Sequence, residues 1–599
     1  MSNRRRKERA AARRLHAHQA KVMRRLRRAG SRGSAAALVT SLGLSLGAVA
    51  LPAHAADGGA SLVKDIFAGD ASSYPRHLVT LGGLTYFSAE SADGIGLWKS
   101  DGTPTGTTLV KNLTSGGYGY GAESLTAVGD LLYFTADDAD SGRELWKSDG
   151  TEAGTVRVAD IYPGYDSSYP EWLVNVDGTL YFTASDGVHG VDLWTSDGTQ
   201  AGTAIVKDFP EGLYNESRPY ELTAVGGTLF FTASDDDHGR EVWKSDGTAA
   251  GTVLVKDIGT LNGGYYGFGG PEALTNVNGT LFFRTDSTDD GQELWKSDGT
   301  AAGTVMLKDL GADVGAPPQN ITNAAGTAYF SVIASTGGQL WKSDGTPSGT
   351  VLVKEVPSTD AVFSYIQSVA AVGAKVFFTA NEEAHGSELW TSDGTEAGTV
   401  LVKDINPGAA YSAPSALTSH KGRLFFSARD ASHGRELWMS DGTSAGTVLA
   451  ADVFAGSDWS SPENLISLGE RLLFVAQDDV NGGELRQYTM PTVAPAPSNQ
   501  FTLPAKAKAN AKKGFITVKV TVPGRGVMKV GPAAGSPVRK TSTSITAAGA
   551  VKVKVMLTKK GLKKLKRLGK MKVNISFTYT PTGGTALKKT KKYLFKYTG

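Results

Sequence analysis

The chain of 599 residues contains no cysteine. Disulfides, thiolate nucleophiles and Cys-ligated zinc or iron–sulfur centres are therefore excluded, and rigidity has to come from packing. Acid is missing from both ends: residues 501–599 hold 24 Lys or Arg and no Asp or Glu, and residues 1–56 hold 13 basic residues against the single acid Glu8. The formal net charge of +3 thus conceals an acidic body between two basic ends. Long apolar runs are scarce too. The one at residues 35–51 follows an arginine-rich stretch and precedes Pro52-Ala53-His54-Ala55. Basic, apolar and Ala-x-Ala segments in that order read as a secretory signal cleaved after Ala55. The run is short for a membrane span and diluted by Gly, Ser and Thr, so no span is expected in the mature protein. Arg13-Arg14 lacks a twin-arginine context, which leaves the export route open between Sec and Tat. The expected location is secreted or at the cell surface.

What the chain has in abundance is one phrase. Glu-Leu-Trp-Lys-Ser-Asp-Gly-Thr, at residues 144–151, returns around Trp98, Trp146, Trp194, Trp243, Trp295, Trp341, Trp390 and Trp438, at intervals of 48, 48, 49, 52, 46, 49 and 48 residues. So even a period marks an array of like supersecondary units. The unit at 222–258 divides into four short apolar runs separated by Gly226-Gly227, a polar loop, and the turn that begins Asp246-Gly247. Four antiparallel strands in a repeat of this length make one blade of a β-propeller. The Thr-Leu-Phe-Phe type of strand occurs nine times, and the first fourth-strand, at 62–66, has no blade before it. The expected fold is therefore all-β: a propeller of about nine four-stranded blades, closed by an N-terminal strand that completes the last blade and removes both loose edges.

Four segments follow: a signal peptide at 1–55, the propeller at 56–490, a Pro/Ala-rich linker at 491–500, and a basic module at 501–599. In the module, runs at 515–522, 551–557, 571–579 and 591–597 alternate as strands. Leu562, Leu565 and Leu568 fall at helical spacing, with Thr558 as the expected N-cap.

The Trp-x-Ser-Asp-Gly-Thr string, intact in all eight tryptophan repeats, resembles the bacterial ELWxxDGT repeat family over nearly all of residues 62–488. Gly96 and Gln339 replace the glutamate, and the ninth copy ends Glu484-Leu485-Arg486-Gln487-Tyr488. The basic module resembles the Lys-rich β-sandwiches that end secreted actinobacterial proteins. The resemblance implies fold and surface location and carries no established activity.

Within the repeat, Asp149, Asp197, Asp246 and Asp298 read as turn-closing residues and the eight tryptophans as wedges between blades. Ligand contacts are expected on the opposite rim, where Tyr118, Tyr120, Tyr165, Tyr169, Trp172, Tyr265, Tyr266 and Trp459 would offer stacking surfaces for a sugar. Asp137, Asp138, Asp140, Asp235 and Asp237 would offer oxygens to Ca2+, the only cofactor the loops suggest. No EF-hand or repeat-in-toxin spacing is present. Arg143, Arg240 and Arg435 share one repeated position and read as edge charges.

Because the blades are so uniform, no catalytic residue is assigned; an enzyme breaks symmetry to bring unlike groups together. The expected function is a secreted or surface propeller acting as a binding, adhesion or scaffold module, with a glycan or other extracellular polymer as ligand and the basic module retaining it on anionic wall polymers. An extracellular glycoside hydrolase or lyase is the alternative. Nucleic acid is disfavoured, since the module's lysines are not interleaved with stacking aromatics, and a monomer is expected.

Overall fold

The computed structural model describes residues 59–114, 121–138, 141–209, 217–235, 237–258, 270–287, 291–311, 314–357, 365–490, 498–533, 535–582 and 585–598. The expected signal and linker lie outside the described residues, apart from the linker's last three.

Between Gly59 and Thr489 the described residues form nine four-stranded antiparallel sheets. The first comprises Arg76–Leu81, Leu84–Ser91, Gly94–Ser100 and Thr108–Asn112. The first strands of successive sheets lie side by side in a cycle, and that of the ninth sheet, Glu463–Leu468, lies beside that of the first. The first two strands of each sheet join through tight turns with left-handed residues, as at Asp177 (φ 48°) and Gly178 (φ 91°), the turn geometry whose twist suits a hairpin. Each second strand is buried on both faces because a neighbouring sheet covers each side.

Closure occurs as the repeat frame requires, though three to four residues earlier than the strand read from sequence. Gly59–Leu62 pairs antiparallel with Gly482–Thr489, Leu62 facing Arg486, and the Val63 N–H continues the ladder to the Leu485 carbonyl at 2.9 Å.

Apolar clusters lie between sheets rather than within them. Tyr133 and Leu145 of the second sheet pack with Leu180, Phe182 and Trp194 of the third. Phe182 stacks on Trp194 at 6.3 Å between ring centroids. The ninth repeat lacks tryptophan, and its Arg486 makes the backbone hydrogen bond that Trp194 and Trp243 make. Trp194 Nε1 donates to the Ala184 carbonyl at 2.9 Å, and Arg486 Nε donates to the equivalent Ala476 carbonyl at 3.1 Å, with Asp478 taking the guanidinium's other edge.

The glutamate of the repeat is a staple. In the second sheet, buried Glu144 accepts the Ile161 N–H (3.0 Å), the Ser168 N–H (3.1 Å) and the Ser168 hydroxyl (2.7 Å), binding the loop that leads into the third sheet. In the ninth sheet the same residue, Glu484, reaches across the closure and accepts from Ile66, Phe67 and Ser73 near the start of the propeller.

The C-terminal module has a three-stranded sheet (Lys508–Asn510, Phe515–Val522, Gly549–Val555) and a four-stranded sheet (Thr541–Ile545, Gly526–Pro532, Lys570–Pro581, Leu587–Lys596). They share a core that includes Ile516, Val518, Phe577 and Phe595. A helix spans Lys559–Leu568, its Thr558 cap accepting from the Gly561 N–H and Gly569 (φ 66°) ending it. The strands Gly526–Pro532 and Thr541–Ile545, rich in Gly, Ser and Thr, escaped the apolar pattern. Among the described residues no helix is long and apolar enough to cross a membrane.

Candidate functional site

The tight-turn rim is internally saturated. Asp149 Oδ1 accepts the Thr151 N–H (2.8 Å) and hydroxyl (2.7 Å), the Thr151 hydroxyl in turn accepts the Gly154 N–H (3.0 Å), and Ser148 and Thr155 share a hydroxyl bond (2.7 Å). These bonds hold the Asp149 carboxyl below the usual carboxylate range. Asp197, Asp246 and Asp298 repeat the arrangement.

The other rim carries the loops between second and third strands and between successive sheets. Tyr118, Tyr120, Tyr265, Tyr266 and Asp140 lie outside the described residues, as does the side chain of Asp138. Tyr165 and Tyr169 are exposed on the connection between the second and third sheets and Trp172 on the strand it leads into, Tyr169 and Trp172 at positive φ. Trp459 is exposed on a different connection, between the eighth and ninth sheets. The structure does not bring these aromatics together.

Nor do the described acids gather. Asp235 Oδ1 accepts the N–H groups of Asp237 (3.0 Å) and His238 (2.7 Å) and bonds His238 Nδ1 (2.8 Å). Asp186–His189, Glu382–His385 and Asp430–His433 are pairs of the same kind, closing their own loops. The paired carboxylate raises the imidazole pKa at His189, His238 and His433. No group of three or more His, Asp or Glu that could hold a metal occurs among the described residues.

A cleft of about 760 Å³ does open on this rim, across the first strands of the seventh, eighth and ninth sheets. Tyr365, Tyr411, Pro414 and Pro462 contribute to its walls, and Arg435 and Glu463 both face it. Sheet bulges shape it: Ser368 and Ala416 each take φ 53°, with the register slipping beside them.

Arg435 is the unusual member. Its Nη1 donates to the Ala413 carbonyl (3.0 Å) and weakly to the Ser415 hydroxyl (3.3 Å) and the Ser427 carbonyl (3.5 Å), and no carboxylate pairs with it among the described residues. In the second sheet, Arg143 at the same position is ion-paired to Glu123, bonded to Thr135 Oγ1 (2.8 Å), and faces Asp137 across the ladder. The eighth sheet puts Ser415 where Glu123 stands, Ser427 where Thr135 stands, and Arg429 where Asp137 stands.

Two guanidinium groups thus face each other on neighbouring strands, an arrangement that costs stability unless an anion joins them. Burial first, and Arg429 second, push the Arg435 pKa down. Arg429 itself is stacked on Tyr411, 3.5 Å from the ring centroid, with its Nε bonded to the Tyr411 carbonyl. The buried Ser427 hydroxyl, which lines the cleft, has no partner.

Reading Arg435 as an edge charge is therefore corrected: it belongs to a cleft. The signal was available in the sequence as the loss of two acids at fixed repeat positions, and comparison of whole repeats rather than of their shared motif would have exposed it.

The architecture defines the chain as a β-propeller protein with a small second β-module. No family model and no curated protein matches it. Solved structures similar to it include a puromycin hydrolase (15% identity, 61% of this chain and 60% of that chain, TM-score 0.31) and a prolyl endopeptidase (12% identity, 62% and 53%, TM-score 0.32). An S511A mutant of the puromycin hydrolase matches in the same way (14% identity, 61% and 60%, TM-score 0.30). The chain spans about three fifths of the puromycin hydrolase and about half of the prolyl endopeptidase.

The expectation of a glycan-binding adhesion or scaffold propeller retained on wall polymers is corrected. The solved structures similar to it are of a puromycin hydrolase and a prolyl endopeptidase. On the rim itself, the described aromatics divide between two places in the ring and the Asp–His pairs are occupied with their own loops.

Proposed function

We propose that the propeller receives a short peptide-like ligand bearing a carboxylate, held in the cleft between its seventh and ninth sheets. The observation that carries this is Arg435: a half-buried guanidinium whose neutralising acids, present in the second sheet, are absent in the eighth. A desolvated, unpaired cation is stabilised by an anion, and a guanidinium suits the two oxygens of a carboxylate. The unpartnered Ser427 hydroxyl supplies a further polar contact, and the tyrosine and proline walls supply apolar surface. The volume is that of a small-ligand site. The lining includes no His, Lys or Asp, so the reading is of recognition and no bond-breaking step is derived.

Calorimetric titration of the purified protein with N-acetyl-Ala-Phe and with its C-terminal amide tests this. The acid should bind at least about tenfold more tightly than the amide, a difference of about 1.4 kcal/mol. Arg435→Gln should remove that preference while leaving the melting curve intact. Equal affinity for acid and amide would refute the assignment.

A further inference from the structure

Arg435 is one half of a broken pattern, and Glu463 is the other. In the fifth sheet, Glu272 on the first strand faces Arg284 on the second and pairs with it at 2.7 Å. Glu463 occupies the same position in the ninth sheet, but it faces Val475. It has no ion pair and no side-chain hydrogen bond among the described residues, and its side chain is exposed where it lines the cleft. The eighth sheet thus has an arginine without an acid, and the ninth has an acid without an arginine. The two stranded charges stand on adjacent sheets, face one cavity, and are not bonded to each other.

We infer that the cleft recognises a zwitterion: a short peptide with both ends free, its carboxylate on Arg435 and its ammonium on Glu463. This rests on the reading of the cleft as a carboxylate site and adds the second charge. A molecule with one charge would leave the other residue unpaired beside it, whereas a free peptide neutralises both and presents its backbone to the walls between. The two ends select length as well, because the ligand must bridge from the eighth sheet to the ninth. Arg429, the second cation near Arg435, keeps the carboxylate end directional: an ammonium is repelled there and attracted only at Glu463. The unpartnered Ser427 hydroxyl lies on the carboxylate side, since it belongs to the strand next to Arg435.

The test compares free Ala-Phe, with its amine and carboxylate exposed, with N-acetyl-Ala-Phe, which keeps the carboxylate and lacks the charge on nitrogen. The unmodified protein should bind the free dipeptide about tenfold more tightly than the acetylated one. Glu463→Gln, at an exposed position and neutral to folding, should erase that advantage and leave the acetylated ligand's affinity unchanged. The same advantage measured in Glu463→Gln, or no advantage in the unmodified protein, overturns the ammonium assignment while the carboxylate reading stands. Failure of both acids to bind the unmodified protein overturns both. A longer free peptide, such as Ala-Ala-Ala-Phe, provides a second measurement: an advantage of its free amine that survives Glu463→Gln places the ammonium elsewhere and overturns the inference.

Discussion

Glu484→Ala should open the ring at one place. Glu484 is buried and accepts four hydrogen bonds from the opposite end of the propeller chain: the N–H groups of Ile66, Phe67 and Ser73, each at 3.2 Å, and the Ser73 hydroxyl at 2.6 Å. Truncation leaves these donors without acceptors. A buried donor deprived of its partner costs about 1–3 kcal/mol. Part of this is returned, because water can enter the space and because burial already disfavours the Glu484 carboxylate, whose pKa it raises. A net local loss of about 3–5 kcal/mol follows, similar to breaking a buried charged pair.

The loss concentrates on Gly59–Leu62 and the loop behind it, since the clamp ties that segment to the ninth sheet alongside its ladder, the bonds of Ser72 and Ser73 to Gly483, and the packing of Val63 and Ile66 against Leu485. Hydrogen exchange read by mass spectrometry should show protection in residues 59–73 falling by about a hundred- to a thousandfold, while the third to sixth sheets keep theirs. Glu436→Ala is the control. The same staple, to Val453 and Ser460, lies there within a continuous chain, so its loss should loosen the loop without freeing a strand. Unchanged exchange at residues 59–73 in Glu484→Ala, or equal strand release in Glu436→Ala, would refute the clamp.

Stability should also fall with rising pH. Burial pushes the Asp192 and Glu388 pKa values up to about 7, whereas both titrate near 4 in the unfolded chain. The folded state therefore favours their protonated forms. Their contribution is complete below about pH 4 and is lost as pH climbs through about 7, so the melting temperature should decline from pH 5 to pH 8. The raised imidazoles act in the same direction, and Asp192→Asn should flatten the decline in part; an unaltered slope would exclude it as a source. Gly154→Ala should lower the melting temperature, because a Cβ there lands on the Asp149 carboxylate and forces it off Thr151, a loss of about 1–3 kcal/mol. A melting curve superposable on that of the unmodified protein would show that the turn adapts without this bond.

Much of the fold could be read from the chain because each blade is locally specified. Apolar second strands, hairpin glycines and the Ser-Asp-Gly-Thr turn each depend on residues a few positions apart, and the near-constant period repeats the same signal nine times. Strand Gly59–Leu62 was legible only as a leftover piece, and its partner, more than four hundred residues away, followed from edge avoidance rather than from any local pattern. The repeat glutamate was visible as a constant letter, yet its role was not, since the loop it binds lies 17 to 24 residues downstream within the array and at the far end of the chain in the ninth sheet. Of the aromatics that looked like a site by composition, the described ones fall where the second sheet leads into the third and where the eighth leads into the ninth.

The sequence by itself determined the repeat, the strand count per unit, the saturated turn rim, and the separation of an acidic propeller from a basic module, because these depend on short-range chemistry and on composition. Only the tertiary structure placed Arg435 and Glu463 on one cleft. Each is an ordinary letter at an ordinary repeat position, and its meaning comes from the partner that is missing across the ladder. Placing successive sheets side by side around the ring set an arginine without an acid and an acid without an arginine on one cleft.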